Sequence, residues 1–278
     1  MNLKIVQTEE LNIEECFAVN KDAWNKKVRY DVMSSYYDLN RFKHGENSLK
    51  SLDLSLLGDV SGKKVLHLQS YFGLDTISLN RIGATATGVD FCNNAIEFAG
   101  QLNEELNTNT EFLNSNVYEL EKLNLPQFDI VYMSYGAICW LPDLNTLWQQ
   151  ISKLLKPNGI FILVDFHPLA ISFDLFKEEQ IKHSYFESVE KPIEIHRKGT
   201  YADIDAPIET TEYNWNHSID EILNAFIQNK LSIEHFREHP FLPIKGFPNL
   251  QLQADGNYHV IDSNDKYPLL FSIKAKKK

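Results

Sequence analysis

The chain has 278 residues, with 38 acidic side chains against 27 basic ones and a net charge of −11, and its isoelectric point is near 5.3. That balance offers no basic footprint for a polyanion, which disfavours nucleic acid and leaves small molecules and proteins as partners. Cys16, Cys92 and Cys139 are too few and too scattered for a disulfide framework, and the start MNLKIVQTEE has no apolar leader, so the expectation is a cytoplasmic protein without a membrane span.

From Glu9 to about Val60 the chain is rich in helix formers and aromatics, among them Phe17, Trp24, Tyr36, Tyr37 and Phe42. Phe17 and Trp24 lie two helical turns apart on one face, and Gly45 in FKHGEN marks a turn before a helix over 48–57. Residues 1–60 read either as a helical lid over a ligand site or as ordinary packing against residues 61–278. The pattern then alternates: strand 64–68, helix 74–82, strand 85–90, helix 93–106, strands 110–113 and 128–133, helix 143–155, strand 159–166. Such alternation predicts an α/β fold, with a parallel sheet covered on both faces. The rhythm breaks at 170–210, where Tyr185, Val189, Ile193 and Ile195 stand among charges as a small β insertion. Ser218 and Glu221 have capping-box spacing before a helix to about Asn229, followed by a strand from Leu231 to Phe236. A second insertion at 240–265 carries Phe241, Phe247 and Tyr258, and a last strand spans Leu269–Ile273 before the solvated KAKKK tail.

The most informative stretch is KKVLHLQSYFGLDTISLNRIGATATGVD, from Lys63 to Asp90. It reads as strand, tight turn, helix and second strand, with Asp90 spaced to clamp a ribose diol. Gln69 and Tyr71 stand where a dinucleotide-binding loop places glycines, so a generic glycine-rich fingerprint fails. With FDIVYMSYGAICWLPDL (Phe128–Leu144) and LLKPNGIFILVDFHP (Leu154–Pro168), the stretch resembles class I S-adenosylmethionine-dependent methyltransferases, in a bacterial branch whose first loop reads HLQ-x-x-FG-x-DT. The resemblance covers roughly Lys63 to His167. It implies a Rossmann-like, seven-stranded, mostly parallel sheet whose last strand runs antiparallel, with S-adenosylmethionine as cofactor and S-adenosylhomocysteine as product.

On that resemblance Gln69, Ser70, Phe72 and Gly73 wrap the methionine and ribose. Asp75 either caps the next helix or faces the donor's ammonium. Asp90 takes the ribose hydroxyls, and Phe91 stacks near the adenine or belongs to the core. Asn116 meets the adenine amine beside the backbone of Val117, or is a plain turn residue. Ser134 and Tyr135 end the fourth strand at the carboxyl edge of the sheet, where ligands of open α/β folds bind, and Tyr135 is also a catalytic candidate. Trp140 walls the acceptor site or anchors its loop. His167 is a general-base candidate, or a ligand of the methionine carboxylate, or a loop anchor. His67 replaces the acidic residue usual in the first strand and reads as a buried neutral imidazole. His235 and His239, four apart on a strand, are too distant to share a metal, and no metal site is expected. The acceptor is unidentified. A nicotinamide-dependent oxidoreductase and a non-catalytic cofactor-binding protein are the alternatives.

Overall fold

The computed structural model describes residues 12–173, 181–186, 191–245, 249–261 and 264–278. Helices α1 (Ile13–Asp31), α2 (Leu39–Lys43) and α3 (Ser51–Leu57) lead into β1 (Lys64–Leu68). There follow α4 (Leu74–Arg81), β2 (Thr85–Asp90), α5 (Asn93–Glu105), β3 (Glu111–Asn114), β4 (Phe128–Ser134), α6 (Leu144–Leu154), β5 (Leu155–Phe166) and α7 (Pro168–Ser172). The remainder is β6 (Ile193–Lys198), β7 (Glu209–Asn214), α8 (Ile219–Gln228), β8 (Leu231–His239), β9 (Phe241–Leu242), β10 (Leu250–Leu252), β11 (Tyr258–Val260) and β12 (Leu270–Lys277).

The main sheet has seven strands in the order β3-β2-β1-β4-β5-β12-β8. β1 to β5 pair in parallel, and β12 runs antiparallel to both of its neighbours. The expected fold is therefore the observed one. Strands buried on both faces need apolar residues at consecutive positions, and β1 supplies them: Val65 faces α3 and α4, while Leu66 and Leu68 face α6 and α8. Trp148 and Phe226 close the second face against Phe161, with ring centroids 5.1 and 5.3 Å from it.

The two aromatic-rich additions meet each other. Asn20, 1% exposed, bonds the Tyr213 backbone in both senses at 2.8 Å, so its amide acts as an edge partner to β7. β6 and β7 form an antiparallel hairpin, and β9, β10 and β11 form a small sheet within the excursion between β8 and β12. Helix α1 starts at Ile13, where the Asn12 side chain accepts from the Glu14 N–H at 3.0 Å.

Several local expectations shift. The helix drawn over 48–57 starts at Ser51, because Lys50 is extended and its N–H is taken by Asp53 Oδ2 at 2.9 Å. The strand drawn from 159 starts at Leu155, and the KPNG turn is a bulge in it, with Asn158 at φ 62°. Ser218 does precede α8, but the capping box is not made: its hydroxyl donates to Asp220 Oδ1 and Glu221 pairs with His217. The rings of His235 and His239 converge on the Ser272 hydroxyl at 3.2 and 2.9 Å, since residues of like parity point to one face. No group of three metal-ligating side chains occurs among the described residues. Val189 and Phe247 lie outside those residues. No described helix is long and apolar enough to cross a membrane.

Candidate cofactor and acceptor cleft

A cleft of about 1640 Å³ opens at the carboxyl ends of β1, β2 and β4. The sheet reverses its winding between β1 and β4, and such switch points leave a crevice that no crossover helix covers.

Its floor is the loop after β1. Gln69, Tyr71 and Gly73 have φ of 53°, 50° and 87°, so alternate residues hold the left-handed conformation that glycines ordinarily supply. The sequence reading that a glycine-rich turn is missing holds for the residues and not for the backbone. The loop is fixed by Ser70 N–H to Val89 O and Gly73 N–H to Ser70 O, both 3.0 Å. Two side-chain oxygens on it, Gln69 Oε1 and Ser70 Oγ, are buried without a hydrogen-bond partner among the described residues. Asp90 is 5% exposed. Its Oδ2 accepts from Tyr71 N–H and its Oδ1 from Cys92 N–H, each at 2.8 Å, which leaves lone pairs on both oxygens. Burial pushes its pKa up to about 6, against the opposing backbone N–H groups, so it is ionised at neutral pH.

Phe91, Ser134 and Tyr135 line the cleft, as do Gly73 and Asp75. Asp75 does not cap α4, whose N-cap is Gly73; it accepts from the Ser48 hydroxyl at 2.5 Å. Phe72 is 1% exposed, and its ring packs on Tyr37 and Phe98, so only its edge of the loop meets the cleft. His67 is buried and its Nδ1 meets the Thr76 hydroxyl at 2.8 Å; burial pushes its pKa down to about 4, which keeps it neutral. The Tyr135 hydroxyl donates to Asp53 Oδ1 at 2.9 Å, a carboxyl with its pKa raised to about 7 by burial and by the Asp75 charge.

Three of the expected site residues fall away from the cleft. Val117 is 4% exposed in the core beneath α6, and Asn116 Oδ1 accepts from the Tyr118 N–H at 3.1 Å, as a turn residue does. His167 is the N-cap of α7: its Nδ1 accepts from Leu169 N–H at 3.1 Å, so its Nε2 carries the proton and donates to Glu238 Oε1 at 2.8 Å. Both nitrogens are committed to the protein, and the ring faces the β8 side of the sheet rather than the cleft. His167→Ala is therefore expected to lower stability by roughly 1–3 kcal/mol and to leave S-adenosylhomocysteine affinity unchanged, measured by urea titration and calorimetry. In the same motif it is Asp165 that organises the site. It is 1% exposed and accepts from Gly136, Ala137 and Ile138 N–H at 2.6, 2.9 and 2.9 Å, which fixes the loop after β4.

The roof comes from α1 and the hairpin loop. Trp24 packs edge-on to Tyr71 at 5.0 Å and to Trp140 at 5.1 Å. Tyr201, in the loop between β6 and β7, packs edge-on to Tyr36 at 5.6 Å and hydrogen-bonds the Tyr37 hydroxyl. Lys27 Nζ sits 4.4 Å from the Trp24 centroid and 2.6 Å from Glu212 Oε1, with side chains 2% and 1% exposed. Sequence reasoning named Trp24, Tyr36, Tyr37 and Trp140 but missed Tyr201, Lys27, Asp31, Tyr71, Arg197 and Glu212 as site residues. A signal was present for two of them: Trp24, Lys27 and Asp31 recur at i, i+3 and i+7, which puts two charges on the helix face that carries the tryptophan.

Residues 66–163 match the family model described as "Methyltransferase domain". Over that span the chain is similar to methyltransferases, and its sheet has the class I methyltransferase topology. An uncharacterised methyltransferase of Synechocystis is 32% identical over 145 residues, which span 49% of this chain and 66% of that protein, just under two thirds of it. The phosphoethanolamine N-methyltransferase of Plasmodium falciparum is 27% identical over 242 residues, 82% of this chain and 80% of that one. The solved complex of DhpI with S-adenosylhomocysteine superposes with a TM-score of 0.56 at 15% identity, covering 95% of this chain and 98% of that one. These similarities give no support to the nicotinamide-dependent or non-catalytic alternatives.

Proposed function

We propose that the chain transfers a methyl group from S-adenosylmethionine to a small-molecule acceptor held in the same cleft. The observation that carries this reading is the pair of partnerless buried oxygens on the floor, Gln69 Oε1 and Ser70 Oγ, next to Asp90. A buried polar atom without a partner costs about 1–3 kcal/mol, and a ligand with an ammonium and hydroxyls removes that cost. Gln69 Oε1 suits the ammonium of the methionine moiety, with the Asp75 carboxylate as a second acceptor nearby on the wall. The remaining lone pairs of Asp90 suit a ribose diol, and Phe91 suits the face of adenine. The donor, when bound, supplies a methyl group on a positively charged sulfur.

The work left to the chain is positioning and the exclusion of water, worth up to about 7–11 kcal/mol when reactants are held in line. The cleft volume of about 1640 Å³ exceeds that of one drug-sized ligand, roughly 300–1,000 Å³, and so has room for donor and acceptor together. The net charge of −11 favours a small acceptor over nucleic acid. The Plasmodium relative is named for an acceptor of that size, which supports the size class and nothing narrower.

Calorimetric titration with S-adenosylhomocysteine tests the reading. Micromolar binding by the wild type, about −8 kcal/mol, should weaken at least tenfold in Asp90→Ala. Absence of binding by protein freed of copurified ligand would overturn it.

A further inference from the structure

We propose that Tyr71 is a catalytic residue that receives the proton of a phenolic acceptor, with Asp31 behind it as the positioning carboxylate that takes up the proton of Tyr71. The proposal rests on the methyltransferase reading above and names the acceptor class for the same cleft. Tyr71 occupies a loop position where glycine is the ordinary choice, and it holds φ at 50° there. A left-handed backbone costs a non-glycine residue roughly 1–2 kcal/mol, so the side chain must return something that glycine would not. What it does is span the site: its N–H is on Asp90 Oδ2, its ring lines the cleft, and its hydroxyl donates to Asp31 Oδ2 at 2.7 Å.

Asp31 lies wholly behind that ring. It is 0% exposed, it does not line the cleft, and its Oδ1 is buried without a hydrogen-bond partner among the described residues. A carboxylate so placed reaches the cleft through the Tyr71 hydroxyl. Around it stand Lys27 on its own helix, Thr200 and Asp203 in the loop between β6 and β7, and the hydroxyls of Tyr36, Tyr37 and Tyr201. Burial raises its pKa to about 6, the charge of Asp203 adds to the rise, and Thr200, Tyr71 and Lys27 oppose it.

The acceptor class follows from the walls. Trp24, Trp140, Tyr36 and Tyr201 offer flat faces and edges suited to an aromatic ring. A cationic acceptor is disfavoured because Lys27 already sits over the Trp24 face. An amine with a free lone pair needs no base before attack, whereas a hydroxyl does; burial and the Asp31 charge hold the Tyr71 hydroxyl well above the ordinary phenol range, so Tyr71 relays a proton to Asp31 rather than ionising itself. In the step, the proton on the acceptor oxygen passes to Tyr71 Oη as the Tyr71 proton passes to Asp31 Oδ2. The oxygen lone pair forms the new O–C bond, and the electrons of the broken C–S bond remain on sulfur.

The test uses the full chain with S-adenosylhomocysteine bound, titrated with a naphthol and separately with its methyl ether by quenching of tryptophan fluorescence. The wild type should bind the naphthol at least tenfold more tightly than the ether, and Tyr71→Phe should abolish that preference while holding S-adenosylhomocysteine affinity within about twofold. With S-adenosylmethionine, labelled methyl should appear on the naphthol, and turnover should fall roughly 10²–10⁴-fold in Tyr71→Phe. The base must be ionised to act, so wild-type turnover should rise as pH climbs through about 6 and then level; Asp31→Asn should lose that limb, which a merely structural role would not change. Tight S-adenosylhomocysteine binding with no preference for the naphthol, or wild-type turnover in both variants, would overturn the proposal alone. Failure to bind S-adenosylhomocysteine at all would overturn the methyltransferase reading, and this proposal with it.

Discussion

Lys27→Met is expected to destabilise the protein by roughly 3–5 kcal/mol at neutral pH, because it strands a carboxylate that is out of reach of water. Glu212 is 1% exposed, and its Oε1 also accepts from the Thr210 hydroxyl at 2.9 Å and lies 3.7 Å from Arg197 Nε. Those partners are weaker than the ammonium at 2.6 Å. In the wild type, burial pulls the Lys27 pKa down and the neighbouring Glu212 carboxylate pushes it back up. The double variant Lys27→Met, Glu212→Gln should recover most of the loss at neutral pH, since a neutral buried pair carries no stranded charge. Urea denaturation of the two variants at neutral pH measures both effects; a single-variant loss below about 1 kcal/mol would refute the account.

Gly73→Ala is expected to damage stability and cofactor binding together. At φ 87° the residue lies where an L side chain costs roughly 1–2 kcal/mol. The added Cβ would also lie 2.5 Å from Phe112 Cζ and 3.0 Å from Ala99 Cβ. The Phe112 ring also lies close to Gly88, where a Cβ would come within 2.9 Å of its Cδ1 and Cε1. Overpacking of this kind adds about 1–3 kcal/mol. The backbone that must move to relieve it carries Gln69 and Ser70, so S-adenosylhomocysteine affinity should fall more than tenfold by calorimetry. Gly100→Ala is the control. A Cβ at Gly100 meets nothing within 4 Å, the position lies inside α5, and alanine there should stabilise by roughly 0.5–1 kcal/mol. Equal behaviour of the two variants would show that close approach at Gly73 is unimportant.

These residues show how far the sequence reaches. β1 and β5 are legible because strands buried on both faces must be apolar at successive positions, and the alternation with amphipathic helices fixes a parallel sheet. Gly73 and Asp90 are legible because one supplies a conformation and the other a charge that few residues replace. The left-handed backbone at Gln69 and Tyr71 is not legible, because nothing in those side chains announces it; neighbouring hydrogen bonds to Val89 and Asp90 impose it. His167 looks like a base by position in the motif, yet its orientation depends on Glu238, 71 residues away. Lys27 and Glu212 are separated by most of the chain, and Asp31 meets Tyr71 across 40 residues.

The sequence by itself determined the class of sheet, the place of the loop after β1 and the acidic residue at the end of β2. Those follow from local periodicity and from conformational demands that a single residue meets. Only the tertiary structure decided which side chains face the cleft and which are spent on the protein itself. Helix α1 acquires its role from the β6–β7 hairpin it packs against, and the proton state of each buried carboxyl is set by the partners that folding brings to it.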